Sequence, residues 1–492
     1  VIEANLSLLL VAIPLLAAPV TALLPPGRLP WLLTLAVTWL CLVLAAWQWT
    51  GLADGSIASY ELGGWAPPWG IEYRVDALNA LVALIITGIA AVTLPFAGRS
   101  VAQEIPHHQT PLFYAALLLC MDGLLGISQT GDVFNLFVFL EISSLSSYAL
   151  ISTGQRREAL TAAYQYLIMG TIGATFLLIG IGLIYAETGT LNMMDLHARL
   201  NDLYSHRTVH TGFAFIVVGV GLKLAMFPLH LWLPNAYRYA PVAVTVFLAA
   251  TATKVAVYVM LRMVFTVFPQ DLVVLTPTGL VFLLLGIAGI LFCSTAAIYQ
   301  PDARRLLAYS SVGQIGYMLL GIAYGSVLGL TATIVHVFNH ALMKGALFMA
   351  VGALIYRIGS SRLEHLRGSA RHMPWTFAAI VLAGLSLVGV PGTAGFISKW
   401  YLVMAALEQQ HWVIALVVLL GSLLAVAYLW RIVDVMYFRA PPPDVRPLRE
   451  APLSMLVPVW LLVLANIWFG LDTRLTVGTA QTAVQLLLGD VR

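Results

Sequence analysis

The chain has 492 residues, 60% of them hydrophobic and only 10% charged, with a net charge of +3. Ordinary soluble domains carry about 25% charged residues, so this composition excludes a soluble enzyme. The small net charge, with no basic run, speaks against a nucleic-acid binder. A mean hydropathy of +0.90 points instead to a polytopic membrane protein.

A bilayer crossing takes about 20 apolar residues as a helix, and lipid offers no partner for an unpaired backbone group. A barrel would alternate polar and apolar residues in runs of about ten, which this sequence does not do. The expected fold class is therefore an all-α polytopic membrane protein of about fourteen transmembrane helices. In chain order the spans are expected at 5–24, 29–49, 76–96, 111–128, 131–153, 161–186 and 211–235, then 242–265, 272–298, 304–325, 328–357, 374–406, 411–438 and 451–472. The first is read as a span and not as a cleaved signal, because it is long and lacks a basic flank. Only the 50–75 and 187–210 links are long, and neither is large enough for a separate soluble site.

Cys41, Cys120 and Cys293 lie in apolar runs without CxxC spacing and read as small core residues. The arginines set the orientation. With the N-terminus outside, the cytoplasmic links hold Arg28, Arg99, Arg156, Arg157, Arg238, Arg304, Arg305, Arg357, Arg362, Arg367, Arg371, Arg439, Arg446 and Arg449. The outer links hold Arg74, Arg199 and Arg207, and the tail adds Arg474 and Arg492. Both termini are expected outside a cytoplasmic (inner) membrane of a bacterium or archaeon. Arg262 and Arg431 fall near span ends, and Arg431 is expected to pair with Asp434.

The lysines behave differently. Lys223, Lys254, Lys344 and Lys399 are the whole set, and all sit inside apolar spans. Arginine keeps its charge in any setting, whereas the proton of a buried lysine becomes negotiable. A charge at the bilayer centre costs at least about 2.5–3.5 kcal/mol. Four lysines, Glu141 in "FVFLEISSLSSYAL" and the pair His336 and His340 therefore form the candidate functional set. Asp132 reads as a helix cap as readily as a functional group, and Asp122 could be either.

Two spans carry prolines in mid-course. Pro228 and Pro234 follow Lys223 in span 7, and Pro391-Gly392 precedes Lys399 in span 12. Proline frees backbone carbonyls, and broken helices at membrane depth mark ion or substrate sites. The two breaks lie five spans apart, which implies two inverted five-helix repeats, spans 4–8 and 9–13. The expected domains are 1–110 (spans 1–3), 111–265 and 272–438 (the two repeats), and 439–492 (loop, span 14 and tail).

In "HVFNHALMK", His336, His340 and Lys344 are spaced i, i+4, i+8 on about one helical face. HxxxH suits zinc, but Val337 stands where a zinc protease needs its glutamate and no third ligand is near. No metal is expected. A proton relay fits better, because neutral imidazole accepts at one nitrogen and donates at the other.

The stretches "TGDVFNLFVFLEISSLSSYALI", "KLAMFPLHLWLPNAYRYAP", "LAATATKVAVYVMLR", "PDARRLLAYSSVGQIGYMLLG", "HVFNHALMKGALF" and "GVPGTAGFISKWYL" resemble the antiporter-like subunits of respiratory complex I and of Mrp cation/proton antiporters. The nearest likeness is to the D-type member of the Mrp set, mainly through "TGDVFNLFVFLE". The resemblance runs from about residue 70 to 440 and implies fourteen helices with inverted five-helix repeats. It also implies that Glu141 pairs with Lys223, that Lys254 relays the proton, that His336 and His340 continue the path, and that Lys399 ends it. One complex I subunit of this type carries glutamate at the position of Lys399, and the largest members add a long lateral helix not expected here. The implied activity is secondary transport: proton translocation in a multisubunit Na+/H+ antiporter, beside Mrp-type A, B, C, E, F and G-like subunits. The alternatives are a redox-driven complex (complex I-like or a membrane-bound hydrogenase) and a proton-coupling subunit of an inorganic-carbon uptake system. No flavin, haem or iron–sulfur signature is present, so no cofactor is expected.

Overall fold

The computed structural model describes residues 5–441 and 449–489, so Arg446 and Arg492, counted above, lie outside the described residues. Among these residues, 13 helices are long and apolar enough to cross a bilayer. The fourteenth crossing is span 12, which the chain divides into Pro374–Val388 and Ala394–Glu408. Spans 1 to 6 are Leu6–Leu23, Arg28–Gly51, Ala77–Glu104, Thr110–Gln129, Val133–Ser152 and Glu158–Thr188. Span 7 is Arg207–Leu224 followed, after a non-helical stretch, by Leu233–Tyr239. Span 8 is Val242–Val267, span 9 Thr278–Ile298, span 10 Ala303–Tyr324, span 11 Val327–Ile358, span 13 Trp412–Phe438 and span 14 Leu453–Leu471.

Spans 3, 4, 8, 10 and 11 form the buried centre, whereas spans 1, 2, 6, 9 and 13 turn most of their surface outward. Capping carboxylates start several of these helices. Asp76 accepts from the Leu78 and Asn79 amides, Asp132 from Asn135 and Asp302 from Arg304 and Arg305. Each satisfies amide donors that the first turn leaves without a partner. Span 4 approaches span 5 at Gly123, where an added Cβ would meet the Ser143 amide nitrogen at 2.5 Å.

The repeat expected from the two breaks has a second signature. The Val133 amide donates to the Leu191 carbonyl at 2.9 Å, and the Met193 amide donates to the Gly131 carbonyl at 2.8 Å. The same pair of bonds joins Ala303 to Ser361 at 2.8 Å and Leu363 to Pro301 at 2.9 Å. In both copies the middle residue is the capping aspartate, Asp132 or Asp302. One bridge lies where span 5 begins and the other where span 10 begins. Five crossings separate them, so they stand on opposite faces of the bundle, as inverted repeats require.

Several expectations change. Span 8 is not continuous: helix Val242–Ala250 stops at Thr251 (φ −123°, ψ −59°) and resumes as Ala252–Arg262. No proline marks this break. Span 9 begins at Thr278, after a separate short helix Gln270–Leu275. The 50–75 link contains an antiparallel hairpin of β1 (Ala58–Glu61) and β2 (Glu72–Val75), and the 187–210 link contains the helix Met193–Leu203. The tail after span 14 forms a helix, Arg474–Leu488, packed on spans 3 and 11. Arg431 does not pair with Asp434. Its guanidinium donates to the Ile298 carbonyl, and Asp434 pairs with Arg439 at 2.7 Å, because the turn that ends span 13 brings Arg439 back beside it. Nor are all arginines solvated. Arg262 is buried against Asp76 at 2.6 Å, and Arg304 is buried against Thr245 and the Ala240 carbonyl.

Candidate functional site

All four lysines are buried, and three of them sit at backbone breaks or beside them. Lys223 is in the last turn before the gap in span 7. Its ammonium donates to Glu141 Oε1 at 3.1 Å and to Ser144 Oγ at 2.8 Å, both on span 5. Trp232 restores part of what the gap removes, since its indole N–H donates to the Leu222 carbonyl at 3.1 Å. Lys254 stands just past the Thr251 break and donates back to the Ala249 carbonyl, at the end of the preceding half-helix. Lys399 does the same in span 12. It donates to the Leu387 and Val388 carbonyls at 3.0 and 2.9 Å, reaches Ser422 Oγ at 3.0 Å, and lies 4.9 Å from the centre of the Tyr317 ring. A half-helix ends in carbonyls that no following turn satisfies, and its dipole is negative there. A lysine placed at that end meets acceptors and a favourable field without needing a carboxylate.

The stripe on span 11 is present as one face. The His336 and His340 rings stack at 5.8 Å with an 8° interplanar angle. His336 Nδ1 is 2.7 Å from Ser398 Oγ, the residue before Lys399. Both ring nitrogens of His340, and Nε2 of His336, have no protein partner. Buried polar atoms are rarely left in that state. Lys344, one turn beyond His340, donates to the Leu307 carbonyl at 2.9 Å and to Ser310. Lys254, Lys344 and Lys399 all lie within electrostatic reach of His340. No group of three or more His, Cys, Asp or Glu side chains that could hold a metal ion occurs among the described residues.

The structure therefore gathers the predicted residues into two groups. Glu141 and Lys223 form one; Lys254, His336, His340, Lys344 and Lys399 form the other. Among the described residues no hydrogen bond joins them directly. Residues that sequence reasoning did not single out occupy the ground between. Ser144 lies next to the Tyr148 phenol, and the Tyr148 ring meets Tyr166 edge-on at 4.7 Å. Tyr166 stacks on Trp232 at 3.9 Å and is electrostatically close to Tyr148 and Tyr237. Tyr237 donates to the Leu248 carbonyl at 3.3 Å and lies beside Thr253, to which Lys254 donates at 3.3 Å. Each of these tyrosines comes from a different segment, and no single stretch of sequence signals that they converge.

Hydroxyls, imidazoles and amines are groups able to exchange protons. Residues 130–425 match the family model described as NADH:quinone oxidoreductase/Mrp antiporter, TM. The chain is 42% identical to NADH-quinone oxidoreductase subunit N of Desulforudis audaxviator, over 95% of this chain and 96% of that one. It is 30% identical to the D-type component of the Na(+)/H(+) antiporter of Alkalihalophilus pseudofirmus, over 77% of this chain and 76% of that one. A chain in the structure of the Mrp complex from Dietzia sp. DQ12-45-1b superposes with a TM-score of 0.92 at 29% identity, covering 100% of this chain and 98% of that one.

Proposed function

Because the chain belongs to the NADH:quinone oxidoreductase/Mrp antiporter transmembrane family, we propose that it is the proton-translocating subunit of a multisubunit monovalent cation (Na+)/H+ antiporter of the bacterial or archaeal cytoplasmic membrane. The observation that carries this reading is the 3.1 Å pair of Lys223 and Glu141, standing beside a second group of amines and imidazoles. Paired, the carboxylate holds the Lys223 proton. When the pair opens, Lys223 keeps Ser144 as its remaining partner and releases the proton toward Lys254 along the Ser144, Tyr148, Tyr166 and Tyr237 hydroxyls. His340 and His336 carry it on to Lys399 through Ser398, with Lys344 adjusting the charge seen by His340. The arginine-rich face is the cytoplasmic one, with both termini on the other.

Glu141 also indicates where a neighbour sits. Its side chain is 24% exposed at mid-membrane, within a stripe of exposed Phe134, Val138 and Leu145. A carboxylate facing lipid is costly, and a second membrane subunit on this stripe would cover it. Mrp-type A, B, C, E, F and G-like subunits are the expected company.

A second reading has its own support. The subunit N relative matches almost end to end, which favours a redox-driven complex in which electron transfer elsewhere drives the same proton path. Vesicles carrying the whole complex separate the two. Sodium-dependent collapse of an imposed pH gradient without any electron donor supports antiport. Proton movement that appears only when a reductant and quinone are supplied supports the redox reading. Movement under neither condition refutes proton translocation.

A further inference from the structure

Asp122 lies outside both groups. It is fully buried in span 4, and neither carboxylate oxygen has a hydrogen-bond partner. Span 4 turns Gly123 and Gly126 toward span 5, while Asp122 acts on Cys41 of span 2 and Tyr73 of β2. Burial first, and then the Asp122 charge, push the Tyr73 phenol above its ordinary range. Span 1 contributes no titratable group.

The surroundings of Asp122 are a polar track of their own. Two helical turns beyond it, about 10 Å along the axis, Gln129 accepts from Gln48 at 2.9 Å, and Gln48 also donates to Ser7 at 3.0 Å. Spans 2 and 4 run in the same direction, so Cys41 and Gln48 of span 2 stand level with Asp122 and Gln129. Toward the arginine-rich face the same side of span 2 presents Thr38 and Thr34, whose hydroxyls donate to the Leu35 and Pro30 carbonyls and which line a small, mainly apolar void with Thr93 and Met121. Thr93 Oγ1 and Gln48 Oε1 also lack partners. The track ends near a cavity of about 740 Å³ lined in part by Arg28, Trp31 and Arg99.

A fully buried carboxylate with neither a hydrogen-bond donor nor a counter-charge calls for a proton or a small cation. A buried carboxylate left ionised and unpaired is among the most costly arrangements a protein can hold. We propose that Asp122 is the loading group of a second monovalent-cation site, in the layer of spans 1–4 and separate from the lysine axis, taking a proton or a sodium ion onto its carboxylate. The proposal rests on the reading of the chain as an ion-translocating subunit.

The test uses the intact complex in vesicles, with infrared difference spectra recorded across pH and sodium concentration for wild type, Asp122→Asn and Asp122→Glu. A carboxyl band lost in Asp122→Asn and shifted in Asp122→Glu identifies the group. Its response to pH alone assigns a proton; its displacement by sodium at fixed pH assigns sodium. Ion turnover is expected to fall at least tenfold in Asp122→Asn and to recover in Asp122→Glu. A band indifferent to both pH and sodium overturns the proposal, as does unchanged turnover in Asp122→Asn. Lys223→Ala should stop translocation while leaving the Asp122 response intact. If the wild-type complex moved no ions, the functional reading would fall while the spectra still reported on Asp122.

Discussion

Replacing Lys223 by arginine separates a structural ion pair from a proton carrier. At 3.1 Å the pair with Glu141 is worth about 5 kcal/mol at an effective dielectric of about 20. With the carboxylate a quarter exposed, breaking the pair falls at the low end of the buried-pair range, about 3 kcal/mol. Arginine keeps the charge and the pairing but does not release its proton, so Lys223→Arg should assemble normally and translocate no protons. Glu141→Gln removes the partner instead. If the lost stabilisation falls on the limiting step, about 3 kcal/mol lowers the rate on the order of 100-fold. Glu141→Asp, which keeps the charge on a shorter stem, should fall between. The assay is proton movement into vesicles carrying the whole complex, normalised to assembled subunit. A Lys223→Arg complex that pumps within a few-fold of wild type would show that the pair only holds spans 5 and 7 together, and the proposed mechanism would fail.

Other outcomes follow from the same geometry. Tyr148→Phe and Tyr237→Phe remove hydroxyls between the two groups, so each should slow proton movement while leaving assembly and the melting temperature near wild type; equal rates would remove the tyrosines from the path. Ser398→Ala deletes the 2.7 Å partner of His336, a bond worth about 1 kcal/mol, and a roughly fivefold loss of proton turnover is expected. Asp302→Ala should destabilise the purified protein by about 3–5 kcal/mol. The change strips the cap of span 10, leaves Arg238 without its 3.2 Å partner and frees Ser361. Thermal unfolding in detergent would show the loss, and a melting temperature equal to that of wild type would count against it.

Much of the fold was legible because spans announce themselves by length and apolarity, and because Pro228 and Pro391 mark two breaks directly. The break beside Lys254 was not legible. "LAATATKV" contains no proline, and the helix stops at Thr251 by tertiary arrangement, with the Thr251 hydroxyl bonded back to the Phe247 carbonyl. The restriction of lysine to apolar spans singled out four residues that the fold buries, yet not their partners. Half-helix-end carbonyls hold Lys254 and Lys399, the Leu307 carbonyl holds Lys344, and Thr253, Ser310 and Ser422 hydroxyls assist; one-dimensional sequence carries no mark of an acceptor supplied by backbone. The Arg431 pairing failed because local spacing favoured Asp434, whereas Arg439 approaches it across the end of the helix. Helix Arg474–Leu488 was missed because a mixed polar and apolar tail reads as a loop until the spans it packs on are in place.

The duplicated bridges at Asp132 and Asp302 give the two halves a common frame. Nine residues past Asp132 stands Glu141; nine past Asp302 stands Ser311, whose hydroxyl is spent on the Leu307 carbonyl. Two identical halves set head to tail would have no preferred sense of flow. Any vector in this molecule must therefore be inscribed in such mismatches, a charge on one side of the pseudo-symmetry and a neutral group on the other, so that polarity belongs to a few side chains and not to the backbone that carries them.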